Sequence, residues 1–197
     1  MSTIGSAERK IGDIMVPVGN YLKVNADTGF REIVSVLRKS IDSAEEKSMS
    51  GGDTLLVYDN NLLAGFISLE EVLGAIEPQF LKGGTYRGWT ISKEWAIPVF
   101  WEGLFTDRCI EATDKKAREI MQPVEFSVEQ EDPLIKAVYG MTKHSAKNLP
   151  VLSDSLAVGV VRSRELFMEI SALVSTSGAA VYSIEKSQSA AGRAAVK

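Results

Sequence analysis

The segment Ala64-Gly65-Phe66-Ile67 recurs later in the chain as Val158-Gly159-Val160-Val161, and this pair of matching segments decides how the sequence is interpreted. Two further pairs match at the same offset of 94 residues: Leu55-Leu56-Val57 with Leu149-Pro150-Val151, and Glu71-Val72-Leu73 with Glu165-Leu166-Phe167. Three ungapped matches in the same order indicate an internal repeat, which sets the organisation of a chain before any single element is assigned.

The repeat extends upstream of these segments. Two sets of four apolar residues have the i, i+3, i+4, i+7 spacing of an amphipathic helix: Phe30, Ile33, Val34 and Leu37 in the first copy, and Leu134, Ala137, Val138 and Met141 in the second. Their offset is ten residues larger, so the first copy contains an insertion. It falls in the polar stretch 42–52, which predicts a flexible loop. Farther upstream, the segment 14–18 matches the segment 120–124.

Each copy predicts the order strand, helix, strand, strand, helix. The first strands centre on Val24 and Val128. Asp132 and Pro133 are expected to begin the second copy's first helix, as its N-cap and its first helical residue. The last helix of each copy is expected to bury three apolar residues: Val72, Leu73 and Ile76, and Leu166, Phe167 and Ile170.

One such copy has too few strands to be stable alone, so we expect the two copies to pack about a pseudo-twofold axis. The predicted fold class is α/β (α+β), with two βαββα repeats and an aromatic-rich insert between them. The predicted boundaries are 11–77 for repeat 1, 78–116 for the insert, 117–174 for repeat 2 and 175–197 for a flexible tail.

The order of elements resembles the CBS domain, named after cystathionine β-synthase, in its tandem, bacterial stand-alone form. Asp13-Ile14-Met15 and Glu119-Ile120-Met121 resemble the opening of that domain, and Asn148-Leu149-Pro150-Val151 resembles its second strand. The resemblance implies two facing repeats with clefts between them, and an adenosine-containing ligand in a cleft: AMP, ADP, ATP or S-adenosylmethionine.

The family's ligand motif is Gly-h-h-Thr/Ser-x-x-Asp, where h is apolar, and repeat 1 resembles it in the segment 65–71. Ser68 keeps the hydroxyl, and Glu71 replaces the aspartate. The two side chains lie one helical turn apart, so the carboxylate can accept hydrogen bonds from ribose hydroxyls while the helix N-terminus faces a phosphate. The alternative is that Ser68 and Glu71 only form a capping box.

Repeat 2 departs further from the motif, because Arg162 stands where the hydroxyl is expected, with Glu165 in the place of the acid. Arg162 and Arg164 can pair with phosphates through their guanidinium groups. The alternative is that they form surface ion pairs.

The insert contains all three tryptophans, Trp89, Trp95 and Trp101, together with other large aromatic residues. A disordered linker does not carry so many large apolar side chains. Three interpretations remain: packing against the body of the protein, a protein–protein or dimer surface, and a lid over a cleft.

Composition excludes several classes of function. A net charge of −4 at pH 7 argues against binding to nucleic acid. The only cysteine, Cys109, and the only histidine, His144, belong to different predicted units and have no third orienting residue, so neither catalysis, a cofactor nor a metal site is expected. With no apolar run of about 18 residues, we expect a cytoplasmic protein away from the membrane.

These observations predict a non-catalytic regulatory module that senses an adenine nucleotide and acts on an unknown partner protein. The alternative is a ligand-free structural module for dimerisation and protein interaction. In both cases a homodimer is expected, because the final helix has a broad apolar face that includes Leu166, Phe167, Ile170 and Leu173.

Overall fold

The elements of repeat 1 follow the predicted order, with a short helix and strand in front of them. A computed structural model of the chain describes residues 9–47, 53–78, 85–86, 89–90 and 103–175. The elements up to residue 76 are α1 (Ile11–Ile14), β1 (Val16–Pro17), β2 (Lys23–Asn25), α2 (Phe30–Lys47), β3 (Thr54–Asp59), β4 (Leu62–Ser68) and α3 (Leu69–Ile76).

Repeat 2 has the same elements in the same order. The elements between the repeats are the paired strands β5 (Thr85–Tyr86) and β6 (Trp89–Thr90), and the helix α4 (Leu104–Ala112). Repeat 2 then consists of α5 (Ala117–Ile120), β7 (Gln122–Pro123), β8 (Val128–Glu129), α6 (Leu134–His144), β9 (Asn148–Ser153), β10 (Leu156–Arg162) and α7 (residues 163–175). The predicted fold class of two βαββα repeats is confirmed.

The two repeats exchange their leading strands. One sheet has the order β2-β3-β4-β7 and the other has the order β8-β9-β10-β1, so both have the same topology. In one sheet β7 of repeat 2 lies antiparallel to β4, with Phe66 opposite Gln122; in the other β1 of repeat 1 lies antiparallel to β10, with Val16 opposite Val160. Each repeat therefore completes the sheet of the other, which interlocks the pair.

A glycine makes each of these strand crossings possible. A Cβ atom built on Gly65 would lie 2.5 Å from the backbone oxygen of Gln122, and one built on Gly159 would lie 2.5 Å from Sδ of Met15. Both distances are too short for a real side chain, so the glycine allows the exchanged strand to approach. The glycine that opens the ligand motif therefore has a packing role in both repeats.

The hydrophobic core follows the same exchange. Ile11 of α1 is buried among residues of repeat 2, and Ala117 of α5 is buried among residues of repeat 1. A third cluster contains residues of both sheets: Val16, Tyr21, Leu56, Phe66 and Val160. Because alternate residues of a strand face opposite sides, each sheet packs against its helices on one face and contributes to this shared cluster on the other.

The flexible loop predicted for the stretch 42–52 is wrong in its first half. Helix α2 continues to Lys47, and only residues 48–52 lie outside the described residues. The sequence Ala44-Glu45-Glu46-Lys47 consists of strong helix formers, and their propensity extends the helix beyond its apolar repeat.

The predicted role of Asp132 as a helix cap is also wrong. Helix α6 begins at Leu134, with Pro133 in the N-cap position and no side-chain cap. Oδ2 of Asp132 instead accepts hydrogen bonds from the backbone N–H of Glu129, at 2.7 Å, and from Nζ of Lys136, at 2.6 Å. The carboxylate therefore stabilises the turn that follows β8. Short polar side chains can form such hydrogen bonds within a turn instead of capping a helix.

We predicted that each final helix buries three apolar residues, and this prediction is wrong for three of the six residues. Leu166 is buried, and Val72 and Ile76 pack against the core, but Leu73 and Phe167 are 60% and 63% exposed, and Ile170 is 51% exposed. Only one side of each helix meets its sheet, so the residues on the other side face outward. The apolar faces of α3 and α7 therefore lie at the surface of this chain.

Several predictions fall outside the described residues. These are the positions of Trp95 and Trp101, and the tail beyond residue 175. Within the insert, the structure shows the pairing of Tyr86 with Trp89 at the backbone and the helix α4.

Candidate functional site

The starts of α3 and α7 meet at a cleft of about 260 Å³ between the two repeats. The ends of β4 and β10 bring both helix starts to the same place because the two sheets have the same topology. The residues that line the cleft are Asp53, Thr54, Ser68, Leu69, Glu70, Lys147, Asn148, Arg162, Ser163 and Arg164. Three of the predicted site residues, Ser68, Arg162 and Arg164, are therefore brought together.

The two walls of this cleft have opposite charge. Repeat 1 contributes the acids Asp53 and Glu70, whereas repeat 2 contributes the bases Lys147, Arg162 and Arg164. Nζ of Lys147 forms an ion pair with Oε1 of Glu70, and Nη1 of Arg162 lies 3.9 Å from Oδ1 of Asp53. Lys147 and Glu70 are both exposed, so their pair contributes little to the free energy of unfolding.

Ser68 and Glu71 form a capping box at the start of α3. The backbone N–H of Ser68 donates to Oε2 of Glu71 at 2.7 Å, and the Ser68 hydroxyl donates to the same oxygen at 2.5 Å. The backbone N–H of Glu70 donates to Oγ of Ser68 at 3.2 Å. The hydrogen bonds of the capping alternative are thus present, and ribose recognition by Glu71 stays a prediction.

Arg162 and Glu165 form an ion pair at the start of α7, where repeat 1 has its capping box. Nε of Arg162 donates to Oε2 of Glu165 at 2.8 Å, and Nη2 donates to Oε1. Their side chains are 8% and 16% exposed. Burial alone would lower the pKa of Arg162, but the hydrogen bond to Glu165 and the nearby Tyr21, Glu165 and Asp53 raise it overall, so the guanidinium stays charged.

Arg164 differs from Arg162 in its surroundings. It is exposed at the rim of the cleft, and no carboxylate pairs with it among the residues that the structure describes. An exposed guanidinium at a cleft rim is available to an incoming phosphate.

The comparison with protein families identifies repeat 2. The family model described as "CBS domain" matches residues 117–172. Repeat 2 therefore contains a CBS domain. No curated protein matches this sequence as a relative.

Solved CBS proteins share the fold of the whole pair. The CBS-pair protein CBSX2 from Arabidopsis thaliana is 17% identical, with a TM-score of 0.53, and the match covers 85% of this chain and 97% of that one. A structure of CBSX2 in complex with AMP is 20% identical, with a TM-score of 0.50 and coverage of 82% and 96%. The CBS domain pair of protein MJ0100, in complex with 5-methylthioadenosine and S-adenosyl-L-methionine, is 13% identical, with a TM-score of 0.50 and coverage of 84% and 98%. At these identities the likeness shows that the two repeats have the fold of a CBS pair.

Tyr21 is a residue of this CBS pair that the sequence analysis missed. It is 4% exposed, and its hydroxyl has no hydrogen-bond partner among the described residues. Burial raises the pKa of the phenol far above its ordinary value; Arg162 lowers the pKa, and Glu165 and Asp53 raise it. The phenol therefore stays neutral, and its ring packs in the cluster that the two sheets share, with Val16, Leu56, Phe66 and Val160.

A signal for Tyr21 is present in the sequence. Five residues separate Val18 from Val24 in repeat 1, whereas three separate the matching Val124 from Val128. Tyr21 lies in the longer segment, so the CBS pair departs from its own internal symmetry at this point.

Two further cavities of the CBS pair lie away from this cleft. One, of about 270 Å³, is lined by residues 122–126 and 144–150 except for 147. There Phe126 stacks on His144, and Nδ1 of His144 lies 3.1 Å from Oε2 of Glu125. The other, of about 400 Å³, lies between the turns that follow β3 and β9.

The described residues of the CBS pair offer no cluster of three or more histidine, cysteine, aspartate or glutamate side chains that could hold a metal ion. Cys109 lies on α4 and His144 on α6. A search of the same residues for a helix long and apolar enough to cross a bilayer finds none.

Proposed function

We propose that this CBS pair is a non-catalytic, cytoplasmic regulatory module that binds an adenine nucleotide or S-adenosylmethionine in the cleft between its repeats. The observation that carries the proposal is the cleft itself, where the start of α3 faces the basic wall formed by Lys147, Arg162 and Arg164. A helix N-terminus opposite several cations favours an anionic ligand. Ser68 places a hydroxyl group at that helix start.

The ligand has separate partners for its ribose and its phosphates. Oε2 of Glu71 accepts hydrogen bonds from the backbone N–H and the hydroxyl of Ser68, and a rotation of the Glu71 side chain exchanges them for the ribose hydroxyls. This exchange costs little, because a capping interaction contributes about 1 kcal/mol. Arg164, exposed at the rim, binds the phosphates.

Solved structures of the same fold support this class of ligand. CBSX2 is known in complex with AMP, and MJ0100 is known with 5-methylthioadenosine and S-adenosyl-L-methionine. All three ligands contain adenosine, so the ribose and the base are their common features. Phosphate contacts at Arg164 would then select among them.

We propose that the regulatory signal passes to another protein through the relative position of the two repeats. A ligand between the repeats binds one arrangement better than another and shifts the population toward it. The exposed apolar side of α7, which includes Phe167 and Ile170, is the surface we assign to a second copy in a homodimer.

A ligand-free structural module is the second candidate function. The observation that favours it is that Glu71 and Glu165 already have hydrogen-bond partners within the chain. In this case the cleft is closed by its own ion pairs, and the pair serves dimerisation and protein interaction.

Mass spectrometry of small molecules released from gently purified protein separates the two candidates. The proposal predicts an adenosine compound in the released fraction, or its uptake after incubation with AMP, ATP and S-adenosylmethionine. Glu71→Gln should carry less of it. Glu119→Gln is a matched control, because Glu119 caps α5 with the same hydrogen bond, at 2.7 Å, to a backbone N–H. Protein that neither carries nor takes up any of these compounds would establish the structural module instead.

A further inference from the structure

The starts of α3 and α7 occupy matching positions at the cleft, but they carry side chains of different size and charge. By the internal repeat, Ser68 of repeat 1 corresponds to Arg162 of repeat 2, and Glu71 corresponds to Glu165. Ser68 is small, and its hydroxyl and backbone N–H both donate to one oxygen of Glu71. Arg162 is large and folds back over the start of its own helix.

Both carboxylate oxygens of Glu165 are used by Arg162. Nε donates to one oxygen at 2.8 Å, and Nη2 donates to the other. This paired geometry is the strongest that a guanidinium and a carboxylate can form. With a side chain only 8% exposed, Arg162 occupies more volume at the start of α7 than Ser68 does at the start of α3. A ribose at α7 would have to displace a buried, doubly hydrogen-bonded ion.

One further residue opposes a nucleotide at α7. The carboxylate of Asp53 lies 3.9 Å from Nη1 of Arg162, and it would repel a phosphate there. Asp53 corresponds to Lys147 in the other repeat, so the matching position at α3 carries the opposite charge.

We propose that Arg162 closes one of the two matching positions, so that each chain holds one nucleotide, at the start of α3, rather than two. This inference rests on the proposed function and adds the number of ligands and the residue that sets it. The cleft volume of about 260 Å³ lies just below the roughly 300–1,000 Å³ of ligand pockets, so the cleft has no room for two nucleotides.

Calorimetric titration with AMP and with ATP measures the number of ligands per chain. The inference predicts one equivalent for the wild-type chain. Arg162→Ser gives repeat 2 the residue that repeat 1 has at this position, and it should add a second equivalent. Arg38→Ser is the matched control: it makes the same chemical change on an exposed side chain of α2 that does not line the cleft, and it should add no site.

The outcomes separate the inference from the proposed function. Two equivalents in the wild-type chain overturn the inference and leave nucleotide binding intact. One equivalent in Arg162→Ser, with the fold verified by circular dichroism, overturns the role of Arg162. An absence of binding by both proteins overturns the proposed function and the inference with it.

A second measurement applies to the wild-type chain alone, because Arg162→Ser leaves Glu165 without its partner and can destabilise the fold. Phenylglyoxal modifies accessible arginine side chains, and mass spectrometry of peptides locates the modified residues. Arg164 should be modified rapidly without AMP and more slowly with it, whereas Arg162 should be modified slowly in both conditions. Equal rates at Arg162 and Arg164 in the free protein would contradict the closed position.

Discussion

Gly65→Ala tests the exchange of strands that builds the cleft. A Cβ atom at this position would lie 2.5 Å from the backbone oxygen of Gln122 and 2.7 Å from Sδ of Met121. The backbone of β7 cannot rotate away as a side chain can, so the strand must move. That movement strains the pairing of Phe66 with Gln122 and the hydrogen bond from Val124 N–H to the oxygen of Ala64, now 3.0 Å.

The expected loss in the free energy of unfolding is about 1–3 kcal/mol, the usual effect of overpacking in a core. Gly159→Ala is the matched control, because Gly159 lies at the equivalent crossing but the three atoms nearest its Cβ would all belong to the side chain of Met15. A methionine side chain adapts readily, so the loss there should stay below about 1 kcal/mol. Gly74→Ala has open space within α3, and it should stabilise the protein by about 0.5–1 kcal/mol.

Urea denaturation followed by circular dichroism measures all three variants against the wild-type chain. The expected order of stability is Gly74→Ala above wild type, then Gly159→Ala, then Gly65→Ala. If Gly65→Ala unfolds at the same urea concentration as Gly159→Ala, the close approach of the β7 backbone to β4 is refuted.

Three further predictions concern the cleft and the assembly. Glu70→Gln removes an acid from the cleft and leaves Lys147 without its ion pair, so the affinity for ATP measured by calorimetry should rise roughly 1.5- to 5-fold. An unchanged affinity would show that the Lys147–Glu70 pair does not compete with phosphate. Arg164→Ala should weaken ATP by on the order of tenfold or more and leave adenosine within about twofold, because only phosphates use the guanidinium; equal losses for both would contradict a phosphate contact. Light scattering should give twice the chain mass of 21.4 kDa, whereas a monomer at micromolar concentration would contradict the dimer assigned to the apolar side of α7.

The repeat made the order of elements predictable, because the segments around Gly65 and Gly159 match without gaps. The exchange of β1 and β7 was not predictable in the same way. A two-residue strand such as Val16–Pro17 is too short for its residue pattern to predict which strand it pairs with. Its pairing depends on contacts with residues distant in sequence. The exposed faces of α3 and α7 were missed for a related reason, since spacing shows an apolar face but not how much of it a sheet covers.

The candidate site was predictable where it follows from symmetry. The repeat gives Ser68 and Arg162 matching positions at the starts of α3 and α7, and the structure brings both residues to one cleft. The opposite charges of its walls were also visible, because Asp53 corresponds to Lys147 and Glu70 corresponds to Arg164 at the offset of the repeat. The longer segment that contains Tyr21 shows where the repeats differ, but the burial of Tyr21 among residues of both sheets was not predictable, because it depends on the exchange of β1.

Calorimetry of wild-type and Glu71→Gln protein with AMP, ADP, ATP and S-adenosylmethionine tests the central claim most directly. Glutamine preserves the shape of the side chain and the capping box, so the fold should be unaffected. The account predicts binding by the wild-type chain and a loss of roughly ten- to a hundredfold in Glu71→Gln, from about 1.5–3 kcal/mol of hydrogen bonding to a charged group. Glu119→Gln should bind as the wild-type chain does. Binding by Glu71→Gln equal to that of the wild type, or no heat with any of the four compounds at millimolar concentration, would contradict a nucleotide site at the start of α3.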